Sequence, residues 1–260
     1  MQTDHVRDHI AANGVRTYYE AVGTGEPLVL LHGGACTIQT LAPQVPALSA
    51  RHRVYMPERR GHGRTPDVAG PITYAAMAAD TIAFMTAVGL ESAHLVGWSD
   101  GALVALLVAM ERPDLVRKLV FIGQYVSISG LREKFAGMAK HLSRETFPPM
   151  FEAAYAAVSP DGPGHWPVVF EKLRLLFTGD PAIPLTRLRD VKTPTLVMLA
   201  DDDLVSVAHA TAIQEALPDA QLAVVPGTSH ALPMEKPDVV NRLILDFLAV
   251  EQAPKLFGKR

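Results

Sequence analysis

The sequence predicts a protein of the α/β class with a mostly parallel sheet. Short β-type runs alternate along the chain with longer segments of helical spacing, as parallel strands joined by crossover helices require. The chain has 260 residues, 48% hydrophobic and 20% charged, which is long enough for one large core without a metal or a disulfide. Its single cysteine excludes an intrachain disulfide and a cysteine-based metal cluster.

Seven strands are predicted from their patterns along the chain. Residues 15–22 alternate between apolar and polar side chains, which indicates an early, antiparallel strand. The other six are short apolar runs, the pattern of strands that are buried in a parallel sheet. These runs are residues 28–31, 53–56, 93–96, 118–122, 195–199 and 222–225.

Helical spacing predicts four helices around this sheet. One covers residues 73–88, because Thr73 suits the N-cap and Gly89 suits the C-terminal end. The other three helices cover residues 102–110, 208–216 and 238–250. The helix over residues 102–110 is strongly apolar.

The alternation of strands and helices breaks between residues 124 and 182. This segment contains several prolines, bulky side chains and helix-like patches. We interpret it as a helical insertion that lies over the sheet and forms a cap, not as a second independent domain. The predicted core therefore consists of residues 1–123 and 183–260.

The segment of residues 97–101 has the pattern G-x-S-x-G and lies between a predicted strand and a predicted helix. In this context Ser99 occupies a tight, strained turn that raises its hydroxyl above the edge of the sheet. The N-terminus of the next helix presents free N–H groups to negative charge that forms beside the serine. The pattern predicts a nucleophilic serine, and such a serine needs a base to take its proton.

His230 is the predicted base. It follows the last predicted strand and precedes the last helix, so it lies at the same sheet edge as Ser99. A carboxylate is needed to orient this histidine, and Asp201, Asp202 and Asp203 close another strand at that edge. Position within the turn favours Asp203, and Asp202 remains the alternative.

The loop that begins with His32 follows a buried strand and is predicted to form an oxyanion hole. The backbone N–H groups of Gly34 and of Asp100, the residue after the nucleophile, are the two predicted donors. His32 itself is expected to hold the loop through hydrogen bonds.

These motifs together resemble the α/β-hydrolase superfamily over nearly the whole chain. The matching segments are LLHGG, RRGHGRT, GWSDG, ADDD and GTSH. The resemblance implies an eight-stranded sheet with flanking helices and a small helical cap after the sixth strand, with Ser99, Asp203 and His230 as a triad. The GWSDG segment is similar to that of valacyclovir hydrolase and its relatives. One departure is Ala200, which stands where the acid turn commonly begins with glycine and leaves Asp202 open as the acid.

We expect a serine hydrolase that cleaves a small or medium, mainly apolar ester through an acyl-enzyme on Ser99. A lactone or a related acyl substrate fits the same expectation. The pocket is expected between the sheet edge and the cap. Its predicted walls are Trp98, Phe147, Met150 and Trp166, with Met138, Phe151 and Phe177 as further candidates.

Other functions are compatible with the same motifs. A C–C bond hydrolase or a cofactor-free perhydrolase would use the same triad, and a hydroxynitrile lyase would use the serine and histidine without an acyl-enzyme. A ligand-binding receptor on this scaffold is the alternative outside enzymes. The formal net charge of −3 gives no reason to expect a nucleic-acid or membrane partner. We expect a small-molecule substrate, no metal or organic cofactor and a cytoplasmic location, and a homodimer stays open.

Overall fold

A computed structural model describes residues 5–139 and 141–249 of the chain. Its eight strands form one sheet in the order β1-β2-β4-β3-β5-β6-β7-β8. The strands are β1 (Val6–Ala12), β2 (Val15–Val22), β3 (Glu26–Leu31), β4 (His52–Pro57), β5 (Ala93–Trp98), β6 (Val116–Ile122), β7 (Thr195–Asp202) and β8 (Ala220–Ser229).

The sheet is mostly parallel, as predicted. Strand β2 pairs antiparallel with both β1 and β4, and every other neighbouring pair is parallel. The seven strands located in the sequence are confirmed, with ends that differ by a few residues. Strand β1 was not located, because its charged and half-exposed residues form no apolar run. It joins β2 through Asn13 and Gly14, both with positive φ, and this Asn-Gly pair is a strong hairpin signal.

Ten α-helices lie in the described part of the chain, and they include the four predicted ones. They are α1 (Val45–Ser49), α2 (Tyr74–Ala87), α3 (Asp100–Glu111), α4 (Glu133–Ala139), α5 (Pro149–Val158), α6 (Trp166–Thr178), α7 (Leu185–Leu188), α8 (Val207–Ala216), α9 (Leu232–Glu235) and α10 (Pro237–Leu248). Within these described ranges, no helix combines the length and apolar character that crossing a bilayer requires.

The core has two layers because successive side chains of a strand point to opposite faces of the sheet. On one face, Val29 and Leu31 of β3 pack in a cluster that includes the buried sides of α2 and α3. On the other face, Leu28 and Leu30 pack in a cluster that includes Leu48 of α1 and the buried side of α10. Burial on both faces explains why the central strands are continuous apolar runs.

The segment between β6 and β7 contains helices α4 to α7. Side chains of its first three helices, and of the loop before α5, reach the carboxyl edge of the sheet and line a cavity there. The aromatic rings of this segment also pack on one another, with Phe147 contacting Phe151, Phe170 and Phe177. The limits of 124 and 182 for a cap stay a prediction.

Candidate active site

Ser99 lies on the sharp turn between β5 and α3. Its φ of 56° and ψ of −126° are unusual for a residue with a side chain and indicate a strained backbone. The turn depends on its glycines. A Cβ on Gly97 would collide with the backbone of Gly101, and one on Gly101 would collide with the carbonyl oxygens of Leu31 and His32. The backbone N–H of Ser99 donates to the carbonyl of Ile122 at 2.8 Å, which fixes the turn to β6.

His230 follows β8 and reaches Ser99 across the edge of the sheet. Its Nε2 lies 2.9 Å from the Oγ of Ser99, and its Nδ1 lies 2.7 Å from Oδ1 of Asp203. With the proton on Nδ1, the ring donates to Asp203 and accepts from the serine hydroxyl. The indole N–H of Trp98 donates to the carbonyl of His230 at 2.8 Å and holds the backbone of the histidine in place.

The three neighbouring aspartates have three different environments. Asp201 accepts from the N–H groups of Gly227 and Thr228, and Asp202 is exposed, with its carboxylate paired to basic side chains from the segment after β6. Asp203 is fully buried and is the one that contacts His230. The structure therefore brings Asp203, and not Asp202, together with His230 and Ser99.

The pKa of Asp203 is lowered despite its burial. Burial opposes ionisation, but the hydrogen bond and charge of His230 outweigh this effect, helped by the N–H groups of Ala200 and Leu204. The carboxylate consequently stays ionised at neutral pH, which is the state that stabilises a protonated imidazole.

Gly34 and Asp100 line the same cavity as Ser99. Among the described residues, neither backbone N–H donates a hydrogen bond to another protein atom, so both are free to bind an oxygen atom in the cavity. The Asp100 side chain is buried, and its Oδ1 accepts from the Tyr74 hydroxyl and the Gln124 amide. Burial raises the pKa of this carboxyl, and the charge of Arg59 opposes that rise.

The cavity over Ser99 has a volume of about 280 Å³ and mainly apolar walls. Four residues named as candidate walls from the sequence, Trp98, Phe147, Phe151 and Phe177, lie among its lining residues. Sequence reasoning missed several other lining side chains. Most of them belong to loops or to the short helix α4, which have no strong pattern, and Tyr74 is the first residue of the predicted helix α2. The missed side chains are Cys36, Tyr74, Gln124, Tyr125, Leu131, Phe135, Leu204 and Val205.

Two predicted pocket residues do not line this cavity. Met150 is 69% exposed, because its position on α5 points away from the site while the next residue, Phe151, points into it. Trp166 is buried behind the cavity wall, where its ring contacts those of Phe147, Tyr155 and Phe170. The side chain of Met138 lies outside the described residues.

The chain is similar to known hydrolases over most of its length. It is 28% identical to the serine hydrolase BPHL of Mus musculus over 92% of this chain and 85% of the relative. It is 29% identical to the 2-hydroxy-6-oxo-6-phenylhexa-2,4-dienoate hydrolase of Burkholderia cepacia over 90% of this chain and 91% of that one.

A solved meta-cleavage product hydrolase from Pseudomonas fluorescens shares the fold. Its TM-score is 0.78 at 22% identity, over 92% of this chain and 96% of that one. The model of the alpha/beta hydrolase family matches residues 28–243, a range that holds every residue of the site described above. This chain is therefore a member of the alpha/beta hydrolase family, and it is a hydrolase.

Proposed function

We propose that this hydrolase cleaves a small or medium, mainly apolar ester through an acyl-enzyme on Ser99. The observation that carries the proposal is the unbroken hydrogen-bonded row of Ser99, His230 and Asp203, of which Ser99 and His230 line a mainly apolar cavity. A serine hydroxyl needs this arrangement because it is a poor nucleophile until a base removes its proton.

The proposed reaction has two steps. In the first, Ser99 Oγ attacks the carbonyl carbon of the ester while Nε2 of His230 takes the hydroxyl proton. Asp203 stabilises the imidazolium, and the N–H groups of Gly34 and Asp100 bind the oxyanion. His230 then protonates the departing alkoxide. In the second step, His230 takes a proton from water, the resulting hydroxide attacks the acyl-enzyme, and the proton returns to Ser99 as the acid leaves.

The cavity supports a small, uncharged acyl group. Its volume lies near the lower end of the range for small-molecule sites, and aromatic rings form much of its wall. Among its described lining residues, Asp100 is an acid and none is a lysine or an arginine. A substrate with a carboxylate would therefore find no lysine or arginine side chain among the described lining residues to pair with.

The absence of lysine and arginine from the described cavity lining also bears on the alternative functions. The dienoate in the name of the Burkholderia cepacia relative is an anion, so the cavity described here supports C–C bond hydrolysis of such a compound less well than ester hydrolysis. A perhydrolase would use the same residues with hydrogen peroxide and a carboxylic acid. A receptor would have no need of a base that is hydrogen-bonded to a strained serine.

The test is hydrolysis of p-nitrophenyl esters from acetate to octanoate by the native protein and by Ser99→Ala. Anionic hemisuccinate and hemiglutarate esters complete the panel, and peracid formation from acetate and hydrogen peroxide is measured in parallel. We expect a burst and turnover of short neutral esters, at least tenfold faster than the anionic ones, and neither in Ser99→Ala. Absence of turnover from the whole panel, or equal turnover by Ser99→Ala, would reject the proposal.

A further inference from the structure

Arg59 is a buried cation directly beneath the predicted oxyanion loop. Its side chain donates from Nη1 to the carbonyl of His32 and from Nη2 to the carbonyl of Gly33, the latter at 2.9 Å. Within the described ranges, no carboxylate forms a salt bridge with it, and its Nε has no hydrogen-bond partner. A buried guanidinium is costly to desolvate, so its use on two consecutive loop carbonyls needs an explanation.

The neighbouring Arg60 pairs with a carboxylate, which is the ordinary arrangement for an arginine with little exposure. Its guanidinium forms a two-pronged pair with the carboxylate of Asp80, in which Nε and Nη2 each donate at 2.6 Å. Such a pair fixes one element to another and neutralises the charge. Arg59 instead leaves its charge unpaired, and the nearest compensation comes from Asp100, which it attracts without a hydrogen bond.

The geometry of the peptide unit connects Arg59 to the reaction. The carbonyl of Gly33 and the N–H of Gly34 belong to one trans peptide, so they point in opposite directions. Because Arg59 and Nδ1 of His32 both donate to the Gly33 oxygen, the Gly34 N–H is directed to the other side, where Gly34 lines the cavity with Ser99. Arg59 also donates its backbone N–H to Nε2 of His32, which fixes that ring.

Two donors on the Gly33 oxygen also change the strength of the Gly34 N–H. A hydrogen bond to the carbonyl of a peptide polarises the unit and makes its N–H a better donor, and a charged donor does so more strongly than a neutral one. The effect is largest where water is excluded, and Arg59, His32 and Gly33 are all buried residues.

We propose that Arg59 is a positioning residue of the oxyanion hole. It holds the Gly33–Gly34 peptide in the orientation that aims the Gly34 N–H at the oxygen of the substrate, and its charge strengthens that N–H as a donor. The inference rests on the proposed function, because an oxyanion forms only if Ser99 attacks a carbonyl. Arg59 acts on the oxyanion hole without touching the substrate.

The test compares Arg59→Met with Arg60→Met, which removes the adjacent guanidinium from the same loop. For Arg59→Met we expect kcat on a p-nitrophenyl ester to fall about 10- to 100-fold, while KM stays within about twofold. The fall in kcat should not exceed the fall caused by removing an oxyanion-hole donor itself. The affinity of a trifluoromethyl ketone, which forms an oxyanion when Ser99 adds to it, falls by a similar factor. Arg60→Met keeps kcat within about twofold, although it melts at a lower temperature.

Arg59→Lys keeps the charge and most of the length, and it serves if Arg59→Met does not fold. One ammonium cannot reproduce the planar guanidinium on both carbonyls, so we expect a loss of about three- to tenfold in kcat and in ketone affinity. Folded Arg59 variants with native kcat, or with a raised KM and unchanged kcat, would overturn the inference and leave the proposed function intact. A native protein without turnover or ketone binding would overturn both.

Discussion

Replacing Asp203 by asparagine tests the proposed triad of Ser99, His230 and Asp203 with almost no change in the shape of the side chain. Oδ1 of Asp203 accepts from Nδ1 of His230 and from the N–H of Leu204, both at 2.7 Å, and Oδ2 accepts from the N–H of Ala200 at 3.1 Å. Asparagine has one oxygen and one NH₂ group for these three donors. In either orientation of the amide, the NH₂ group faces at least one N–H.

Each orientation of the amide has its own consequence. If the NH₂ group faces His230, the ring must carry its proton on Nε2, and Nε2 then cannot accept the proton of Ser99. If it faces Ala200, the N–H of Ala200 loses its partner at a cost of about 1–3 kcal/mol, and the imidazolium still loses its counter-charge. We expect kcat to fall about 10³- to 10⁴-fold, which corresponds to about 4–5.5 kcal/mol in the barrier.

Asp202→Asn is the matched control, because the same change is made one residue away on an exposed carboxylate that pairs with Arg132 and Lys134. Steady-state hydrolysis of p-nitrophenyl butyrate measures kcat, and thermal melting shows that each variant is folded. Asp202→Asn is expected to keep kcat within about twofold. The assignment of Asp203 as the acid that orients His230 is refuted if folded Asp203→Asn retains more than a tenth of native kcat. It is also refuted if kcat falls as much in Asp202→Asn as in Asp203→Asn.

Two further predictions concern the cavity and the buried histidines. Phe147→Ala removes a ring from the cavity wall, so the preferred acyl chain becomes about two to four carbons longer in the ester panel, and an unchanged preference contradicts this wall. Burial, with the charge of Arg59, lowers the pKa of His62 to about 3, whereas the unfolded chain takes up this proton near pH 6.5. The free energy of unfolding therefore falls as pH falls between these values, by about 1.4 kcal/mol per pH unit for this group. Urea unfolding at pH 7, 6 and 5 is expected to show a shallower decline in His62→Asn, and equal slopes would contradict it.

The sequence predicts most of the sheet and the positions of the central site residues. Their placement follows from topology, because Ser99, Asp203 and His230 each follow a parallel strand and such ends share one edge of the sheet. Position within the turn favoured Asp203 over Asp202, but a turn of three acids has no periodicity that shows which side chain is buried, and the structure shows that it is Asp203.

The cavity walls and the first strand were less accessible to sequence analysis. A shift of one residue on a helix turns a side chain by about 100°, and this separates exposed Met150 from Phe151, which lines the cavity. Strand β1 has charged and exposed positions and so lacks the apolar run of the central strands. The Asn13-Gly14 pair, a hairpin signal, could have revealed it. The position of Arg59 was also not foreseen, because a single arginine in a basic loop has no pattern that indicates burial.

Covalent labelling shows whether Ser99 is a nucleophile. The native protein and Ser99→Ala are incubated with a fluorophosphonate, and intact mass and the modified peptide are determined by mass spectrometry. We predict one adduct per native chain, located on Ser99, and no adduct on a Ser99→Ala variant whose melting temperature is unchanged. Absence of an adduct on the native protein, or an adduct that persists in Ser99→Ala, would contradict a nucleophilic serine at this position.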